Sequence, residues 1–412
     1  MSEWQEVRLG DVLDKIVGGG TPSKENPSYW DGGDIFWCSV KDMSDDKFRI
    51  LQTKDTITLD GLNNSSANLI PKGTVITATR MGLGRAFINE TDMAINQDLK
   101  ALIPNSNINN KYLLWTIILY RNYIEMLGNG ATVKGIRLET LKNIKINLPP
   151  LPAQQKIAKI LSNYDDLIEN NLKRIKLLEE SARLTYEEWF LRFRVDGKRL
   201  EINPESGLPF GWENKSVTEC DTFKQDKRKV KEFEGEKKYY ATANISETEI
   251  IADGEIISWD SKPSRAQIKP NNNTVWFARM SNTYKVLCFN KKNINLQDNS
   301  VLSSGFAGFK AKNDLCLPFL YFTINSTFFH ELKDLYATGA TQVSLNNDSM
   351  SFIKIIEPSA NLAEEFGSRT LPLIEEISIL RSKNQLLKEA RNILLPRLMT
   401  NVIDTDELDI AV

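Results

Sequence analysis

Two arginines are the residues best suited to chemistry on a charged or base-bearing ligand. Arg80 and Arg279 sit in similar triplets, Thr79-Arg80-Met81 and Ala278-Arg279-Met280, each after a short apolar run. A guanidinium is a planar fork of donors that meets two acceptors at once, on a phosphate or on a guanine edge. An internal ion pair supporting the fold is the equal alternative. Thr21, Ser23, Lys24, Tyr29, Trp30 and Lys41 lie in or near a Gly/Pro-rich loop, where phosphate- and base-contacting side chains often sit. Surface-loop residues without function have the same look. Lys227, Arg228 and Lys229 open the one dense basic run of the sequence, suited to a phosphate backbone or to a solvated strand edge. Lys134 and Gln342 follow two similar turns, Gly130-Ala131-Thr132 and Gly339-Ala340-Thr341, and complete the candidate contact set.

Catalytic chemistry is harder to find. Asn26-Pro27-Ser28-Tyr29 approaches the tetrapeptide with which adenine methyltransferases hold a flipped base, but Ser28 replaces the second proline and no apolar strand precedes it. Gly82-Leu83-Gly84 lacks the third glycine and the following helix of a dinucleotide loop, and no phosphate-binding lysine loop is present. His330 is the one histidine and lies in a helical segment without a Cys or His partner. Asp165-Asp166 fall on a long helical stretch, as a solvated face would. The cysteines Cys38, Cys220, Cys288 and Cys316 are scattered without metal-binding spacing and read as buried thiols of a reducing cytosol. No catalytic or metal-ligating residue is expected.

The elements that must position the candidate residues form a repeat, offset by about 208 residues. Trp4-Gln5-Glu6 matches Trp212-Glu213-Asn214, Ile95-Asn96-Gln97-Asp98 matches Ile294-Asn295-Leu296-Gln297-Asp298, and Leu177-Leu178-Glu179-Glu180 matches Leu386-Leu387-Lys388-Glu389. A unit this long is a duplicated domain, not a solenoid module. In the first copy Gly73–Ala78 alternates like a strand, Lys111–Leu127 reads as a helix and Leu141–Leu148 alternates again. The second copy repeats that order with strand Thr274–Phe277, helix Leu317–Tyr336 and strand Phe352–Ile356.

After Pro149-Pro150-Leu151-Pro152 apolar residues recur at steps of four and three: Ile157, Leu161, Ile168, Asn171, Ile175 and Leu178 carry the seam of a helix expected over Ala153–Arg194. Such a helix is roughly 60 Å long at 1.5 Å per residue. Ile377, Leu380, Asn384 and Leu387 repeat the rhythm near the C-terminus, where Pro372 should kink the helix or begin its regular part and Pro396 should distort its end. Each seam is the other's best partner. An antiparallel register can place Asn171 beside Asn384, and would set the two heads at opposite ends of the rod to read opposite strands of a duplex.

These elements give an α+β protein: two repeated α/β recognition domains separated by two long antiparallel helices that form a coiled coil. The expected segments are 1–150 and 205–357 for the domains, 151–204 for the central helix and connector, and 358–412 for the C-terminal helix with an acidic tail at Asp404, Asp406, Glu407 and Asp409. Two similar heads suit a ligand with two similar half-sites, above all double-stranded DNA. The chain has 412 residues, 41% of them apolar and 26% charged, with a net charge of −2. Residues 1–150 hold 17 basic and 17 acidic side chains and residues 205–357 hold 19 of each, so a DNA-binding face must be local. The longest apolar run, Tyr112–Tyr120, is too short to span a membrane, and no secretory signal opens the sequence. A cytoplasmic protein is expected.

Several motifs resemble the specificity subunits of type I restriction–modification systems. Trp4…Leu9-Gly10-Asp11, Gly19-Gly20-Thr21-Pro22-Ser23 and Tyr29-Trp30 look like the start of a target recognition domain of that family. Leu148-Pro149-Pro150-Leu151-Pro152-Ala153-Gln154-Gln155-Lys156-Ile157-Ala158 is similar to its helix-opening hallmark, with Ala153 at the usual acidic position. Leu208-Pro209-Phe210-Gly211-Trp212 resembles the start of the second recognition domain, and Leu394-Leu395-Pro396-Arg397-Leu398-Met399 the usual ending. The second helix opens on Pro358-Ser359-Ala360-Asn361-Leu362 and lacks the Gln-Gln pair.

The resemblance implies a non-catalytic DNA reader of a bipartite, asymmetric target. It implies two adenine methyltransferase subunits as partners, carrying S-adenosylmethionine, and restriction/motor subunits carrying ATP. The chain itself would need no cofactor. A self-contained DNA methyltransferase and a coiled-coil scaffold for protein partners are the alternatives.

Overall fold

The computed structural model describes residues 4–130, 133–340 and 342–404. The expected turns over Ala131, Thr132 and Thr341, and the acidic tail beyond Asp404, fall partly or wholly outside the described residues. The chain divides into two compact units, Met1–Glu169 with Gln385–Val412, and Asn170–Asn384.

In the first unit, strands Leu13–Gly18, Leu99–Pro104, Val75–Ala78, Ala86–Asn89 and Arg49–Ile50 form one sheet in that order, and Asp55–Ile57, Ile35–Cys38, Met93–Ile95 and Leu69–Ile70 form a second. Gln5–Arg8 pairs antiparallel with Lys145–Leu148 and closes the head on itself. Val75–Ala78 is buried at every position. Val75 and Leu102 face a core shared with helix Asn110–Leu119, whereas Ile76, Ala78 and Ala101 face a core shared with Cys38, Met93 and Ile95 of the second sheet. A strand covered on both faces gains from apolar residues at successive positions.

The second unit repeats this wiring except for the edge strand Arg49–Ile50, which has no counterpart in its first sheet. Phe223–Asp226, Phe306–Ala311, Thr274–Ala278 and Val286–Phe289 form one sheet, and Glu255–Ile257, Lys237–Tyr240, Ser300–Ser303 and Ala266–Ile268 the other. Glu213–Ser216 pairs with Lys354–Glu357 as the closing ribbon. In each head the second sheet has its one parallel pairing at the same place, Ile35–Cys38 with Met93–Ile95 and Lys237–Tyr240 with Ser300–Ser303.

The expected head helices are each divided in two. Lys111–Leu127 becomes Asn110–Leu119 and Arg121–Leu127, and Leu317–Tyr336 becomes Leu317–Ile324 and Thr327–Leu335. In the second head Ser326 caps a new helix by accepting the Phe329 N–H at 3.1 Å, and a local cap satisfies a free helix end more directly than continued periodicity does. The expected strand Leu141–Leu148 is strand only over Lys145–Leu148; its first residues belong to helix Leu138–Lys142.

The first long helix runs from Leu151 to Tyr186 and ends in a π-turn over Glu187–Leu191, which buries Trp189 and Phe190. Its opening motif has a structural reason. Gln154 is buried, accepts the Asn109 N–H at 2.7 Å and donates to the carbonyls of Asn107 and Pro149 at 3.0 and 2.8 Å, locking the helix start to the head. The second long helix is continuous from Ala360 to Met399. Pro372 neither starts nor ends it, because buried Phe366, Leu371 and Ile374 hold that stretch in the core and outweigh one missing N–H.

The two helices pair antiparallel within each unit. In the first, Ile157 and Leu161 share a core with Leu395 and Leu398, and Arg391 Nη1 meets Asp165 Oδ1 at 2.5 Å. In the second, Ile175 packs on Ile377 and Leu380 beside Leu178, and Asn171 Nδ2 donates to Asn384 Oδ1 at 2.8 Å. Ile168 is buried and Leu387 half-buried. Among the described residues no helix is long and apolar enough to cross a membrane, and no cluster of His, Cys, Asp and Glu could hold a metal ion. All four cysteines are free thiols; burial pushes Cys288 up to about 12 and Cys316 up to about 11.

Candidate nucleic-acid interface

The strand pairings correct the matching of the two arginines. Ala78 pairs with Leu99, and Ala278 pairs with Phe306 at the same point of the second head. One residue on, the Thr79 carbonyl accepts the Ile136 N–H and the Arg279 carbonyl accepts the Leu345 N–H, at 3.0 and 2.9 Å. One further, Arg80 bridges Gly135 and Met280 bridges Ser344. Arg279 therefore corresponds to Thr79, and the counterpart of Arg80 is Met280. Successive residues of an extended chain face opposite sides, so this single step changes each side chain's surroundings completely.

Arg80 is half-exposed and its Nη1 lies 3.5 Å from Asp98 Oδ1. Asp98 is held in turn by Asn96 Nδ2 at 3.2 Å. Arg279 is turned inward. It donates from Nε to the Phe306 carbonyl at 3.0 Å, from Nη1 to the Leu345 carbonyl at 3.1 Å and from Nη2 to Asn347 Oδ1 at 2.8 Å. Burial pulls its pKa below the ordinary arginine value. Of the two arginines, Arg80 alone presents a substantial face to solvent; Arg279 ties a sheet to the segment after the Gly339 turn.

The Ile95–Asp98 match needs the same correction. Cys38 pairs with Ile95 and Tyr240 with Leu302, so the turn Asn96–Asp98 corresponds to Ser303–Gly305. The residues Ile294–Asp298 form a separate short helix.

Around Arg80 the first head gathers part of the expected set. The chain at Gly19 and Gly20 lies directly on the Ile95 turn: Gly20 N–H donates to the Ile95 carbonyl at 2.9 Å, and a Cβ on Gly19 would stand 1.9 Å from that oxygen. This places Thr21 Oγ1 2.6 Å from Oε1 of the exposed Gln97. Lys134 is exposed next to Gly135, on the hairpin that bridges Arg80. Gln97 and Asp98 join this cluster, although in the sequence they stand out only as part of a repeated stretch.

A second group forms on the Gly/Pro-rich loop. Trp30 packs edge-on against Trp37 at 5.2 Å, its Nε1 donates to the Ser23 carbonyl at 3.0 Å, and Lys24 Nζ stands 5.7 Å from its ring. Trp30 is thus partly committed to the loop's own packing. Tyr29 is half-buried at the end of a short turn, and Lys41 is exposed in the turn capped by Ser39.

In the second head Lys227 and Lys229 are exposed, and the backbone at Lys229 bridges Ile268 at a sheet edge. Arg228 is neutralised at once: its Nε lies 2.9 and 3.1 Å from the two carboxylate oxygens of Asp226. Gln342 is exposed, with Nε2 3.6 Å from Met280 Sδ. The structure thus puts Gln342 beside Met280, and leaves Arg279 out of the exposed set.

Residues 1–180 match the family model described as a type I restriction modification DNA specificity domain. The chain is 26% identical to the type I restriction enzyme MjaIX specificity subunit of Methanocaldococcus jannaschii, over 98% of this chain and 95% of that one. It is 34% identical to the EcoR124I/EcoR124II specificity subunit of Escherichia coli over 45% of this chain and 46% of that one. Its fold is similar to the crystal structure of a type I restriction–modification S subunit from M. genitalium, with a TM-score of 0.59, 14% identity and coverage of 97% and 96% of the two chains. The chain is accordingly similar to type I specificity subunits along essentially its whole length. That class is a non-catalytic DNA-recognition component of a restriction–modification complex.

Proposed function

We propose that this chain reads a bipartite, asymmetric DNA target, one half per head. The observation that carries this reading is the internal comparison. Two heads of closely similar wiring present different side chains at equivalent positions, exposed Arg80 against exposed Met280 and exposed Gln97 against half-buried Ser304. Equal scaffolds with unequal contacts suit two different half-sites. Arg80, Thr21, Gln97 and Lys134 serve the first half-site, and Met280, Gln342 and the exposed Lys227 and Lys229 serve the second. Lys24 and Lys41 contribute phosphate contacts, which fix register without reading sequence.

In this reading two adenine methyltransferase subunits dock on the chain and carry S-adenosylmethionine, and restriction subunits carry ATP. The chain supplies recognition and positioning in the cytoplasm. Sequencing the methylome of the host with and without this gene tests it. The expected result is loss of adenine methylation at one motif made of two unlike halves with a fixed gap. An unchanged methylome, or loss at a contiguous motif, rejects it.

A further inference from the structure

Helix Thr327–Leu335 of the second head contains a buried charge that the candidate interface does not use. The Lys333 side chain is fully buried. All three of its protons have acceptors: the Met280 carbonyl at 2.8 Å, the Thr283 carbonyl at 3.1 Å and Asp334 Oδ1 at 2.9 Å. Asp334 continues the grip. Its Oδ1 accepts the Asn282 N–H at 3.1 Å, and its Oδ2 lies 3.5 Å from the Tyr284 hydroxyl. His330, one helical turn earlier, meets the Tyr284 ring edge-on at 4.8 Å. Four of the five residues Met280–Tyr284 are thus held by two adjacent side chains of one helix.

Burying an ammonium is costly, and a leucine there would leave the carbonyls of Met280 and Thr283 without donors. The turn needs the charge because its two carbonyls point inward, with Asn282 at a positive φ of 55°. The held turn in turn carries the exposed hairpin. Met280 bridges Ser344, and Ser281 N–H donates to the Val343 carbonyl at 3.0 Å. The first head fixes the matching turn by other chemistry: buried Leu83 plugs it, and Gly84 lets it lie against Arg121, where a Cβ would come within 2.9 Å. Two copies of one fold hold the same turn by unrelated means, so it is the pose of the turn that both preserve.

We propose that Lys333, paired with Asp334, is a positioning residue for DNA reading by the second head. It holds the Met280–Tyr284 turn, and through it Val343 and Ser344, in the pose that meets the duplex. This rests on the DNA-reading function proposed above.

The test compares Lys333→Met, Asp334→Asn and the unaltered chain, each full-length and purified with the subunits that accompany it. Bound duplexes are selected from a random pool. The first half of the selected motif should persist in the variants. Discrimination against single mismatches in the second half should fall by roughly tenfold in Lys333→Met, the size of one lost base-pair preference, and by less in Asp334→Asn, which keeps an acceptor for the Asn282 N–H. Melting of the same samples separates position from mere stability. A lowered melting temperature with second-half discrimination intact overturns the proposal. Should Lys333→Met fail to fold, Asp334→Asn decides alone: weakened second-half discrimination supports the proposal and full discrimination overturns it. If the unaltered complex selects no second half at all, the DNA-reading function falls and this role with it.

Discussion

Arg80 and Met280 occupy the same position in the two heads, each bridging the hairpin that follows the head helices, at Gly135 and Ser344. The two arginines that look equivalent in sequence therefore have unlike fates on substitution. Arg80→Ala should cost only about 1 kcal/mol of stability, because its half-exposed guanidinium stands 3.5 Å from Asp98, whose buried carboxylate keeps the Asn96 amide as a donor. It should relax recognition of one half-site at a cost of ~1–3 kcal/mol if the contact is bidentate. Arg279→Ala should instead destabilise the fold by about 3 kcal/mol, since three acceptors lose a charged donor. Chemical denaturation together with duplex binding checks both. Equal effects of the two substitutions on DNA affinity, with no difference in stability, would contradict the offset.

The offset also marks where sequence stops being informative. The duplication, the two cores and the antiparallel helices follow from apolar runs and heptad spacing, which are averages over many residues. A match between Thr79-Arg80-Met81 and Ala278-Arg279-Met280 rests on two identical letters, and a slip of one residue exchanges the two faces of a strand. The Ile95–Asp98 match fails similarly, because Ile294–Asp298 belongs to a short helix inserted before the equivalent strand. The break of a head helix at Ser326 depends on one capping hydroxyl, a signal that the continuous apolar pattern of Leu317–Tyr336 hides. The grip of Lys333 on Met280 joins residues 53 positions apart, and nothing local in the sequence announces it.

Asn171 donates to Asn384 at 2.8 Å inside an otherwise apolar seam, with Asn384 only 6% exposed. Replacing both with Leu should raise the melting temperature, as polar pairs at such positions fix register at a cost in stability. Replacing Asn171 alone should lower stability by about 1–2 kcal/mol, because the Asn384 amide is then buried unpaired. Thermal unfolding of the two single variants and the double variant gives the coupling. A double variant less stable than either single one would refute this account of the pair.

His330 is buried, and burial, reinforced by the Lys333 ammonium, pushes its pKa down to about 4. Neither ring nitrogen has a hydrogen-bond partner among the described residues. In the unfolded chain the imidazole titrates near its ordinary 6.5, so between pH 6.5 and 4 the unfolded state binds a proton that the fold refuses. Its contribution is complete above pH 6.5 and is lost as pH falls toward 4, by about 3 kcal/mol at the lower end. His330→Leu removes the titrating group and should flatten that part of the stability profile. Denaturation midpoints measured at half-unit steps from pH 7.5 to 4 show the difference; an equally steep decline in the variant would exclude His330 as its source.

Arg391 and Asp165 offer the sharpest energetic test of how the two long helices are joined where they meet the first head. The guanidinium is only 2% exposed, meets Asp165 Oδ1 at 2.5 Å and lies 4.7 Å from the centre of the Phe48 ring. A buried pair is expensive to form and more expensive to break, because the surviving partner is left charged in an apolar site. Asp165→Asn should therefore cost about 3–5 kcal/mol, far more than removal of an exposed ion pair. Arg391→Met in the same chain should recover most of that loss, since its side chain can fill the space against Phe48 and Trp115 without a charge to satisfy. The four stabilities form a double-mutant cycle, and the predicted coupling between the two positions is more than about 2 kcal/mol. Additive losses would mean that Asp165 does not compensate Arg391, and that the aromatic contacts and the Asn392 side chain carry this junction.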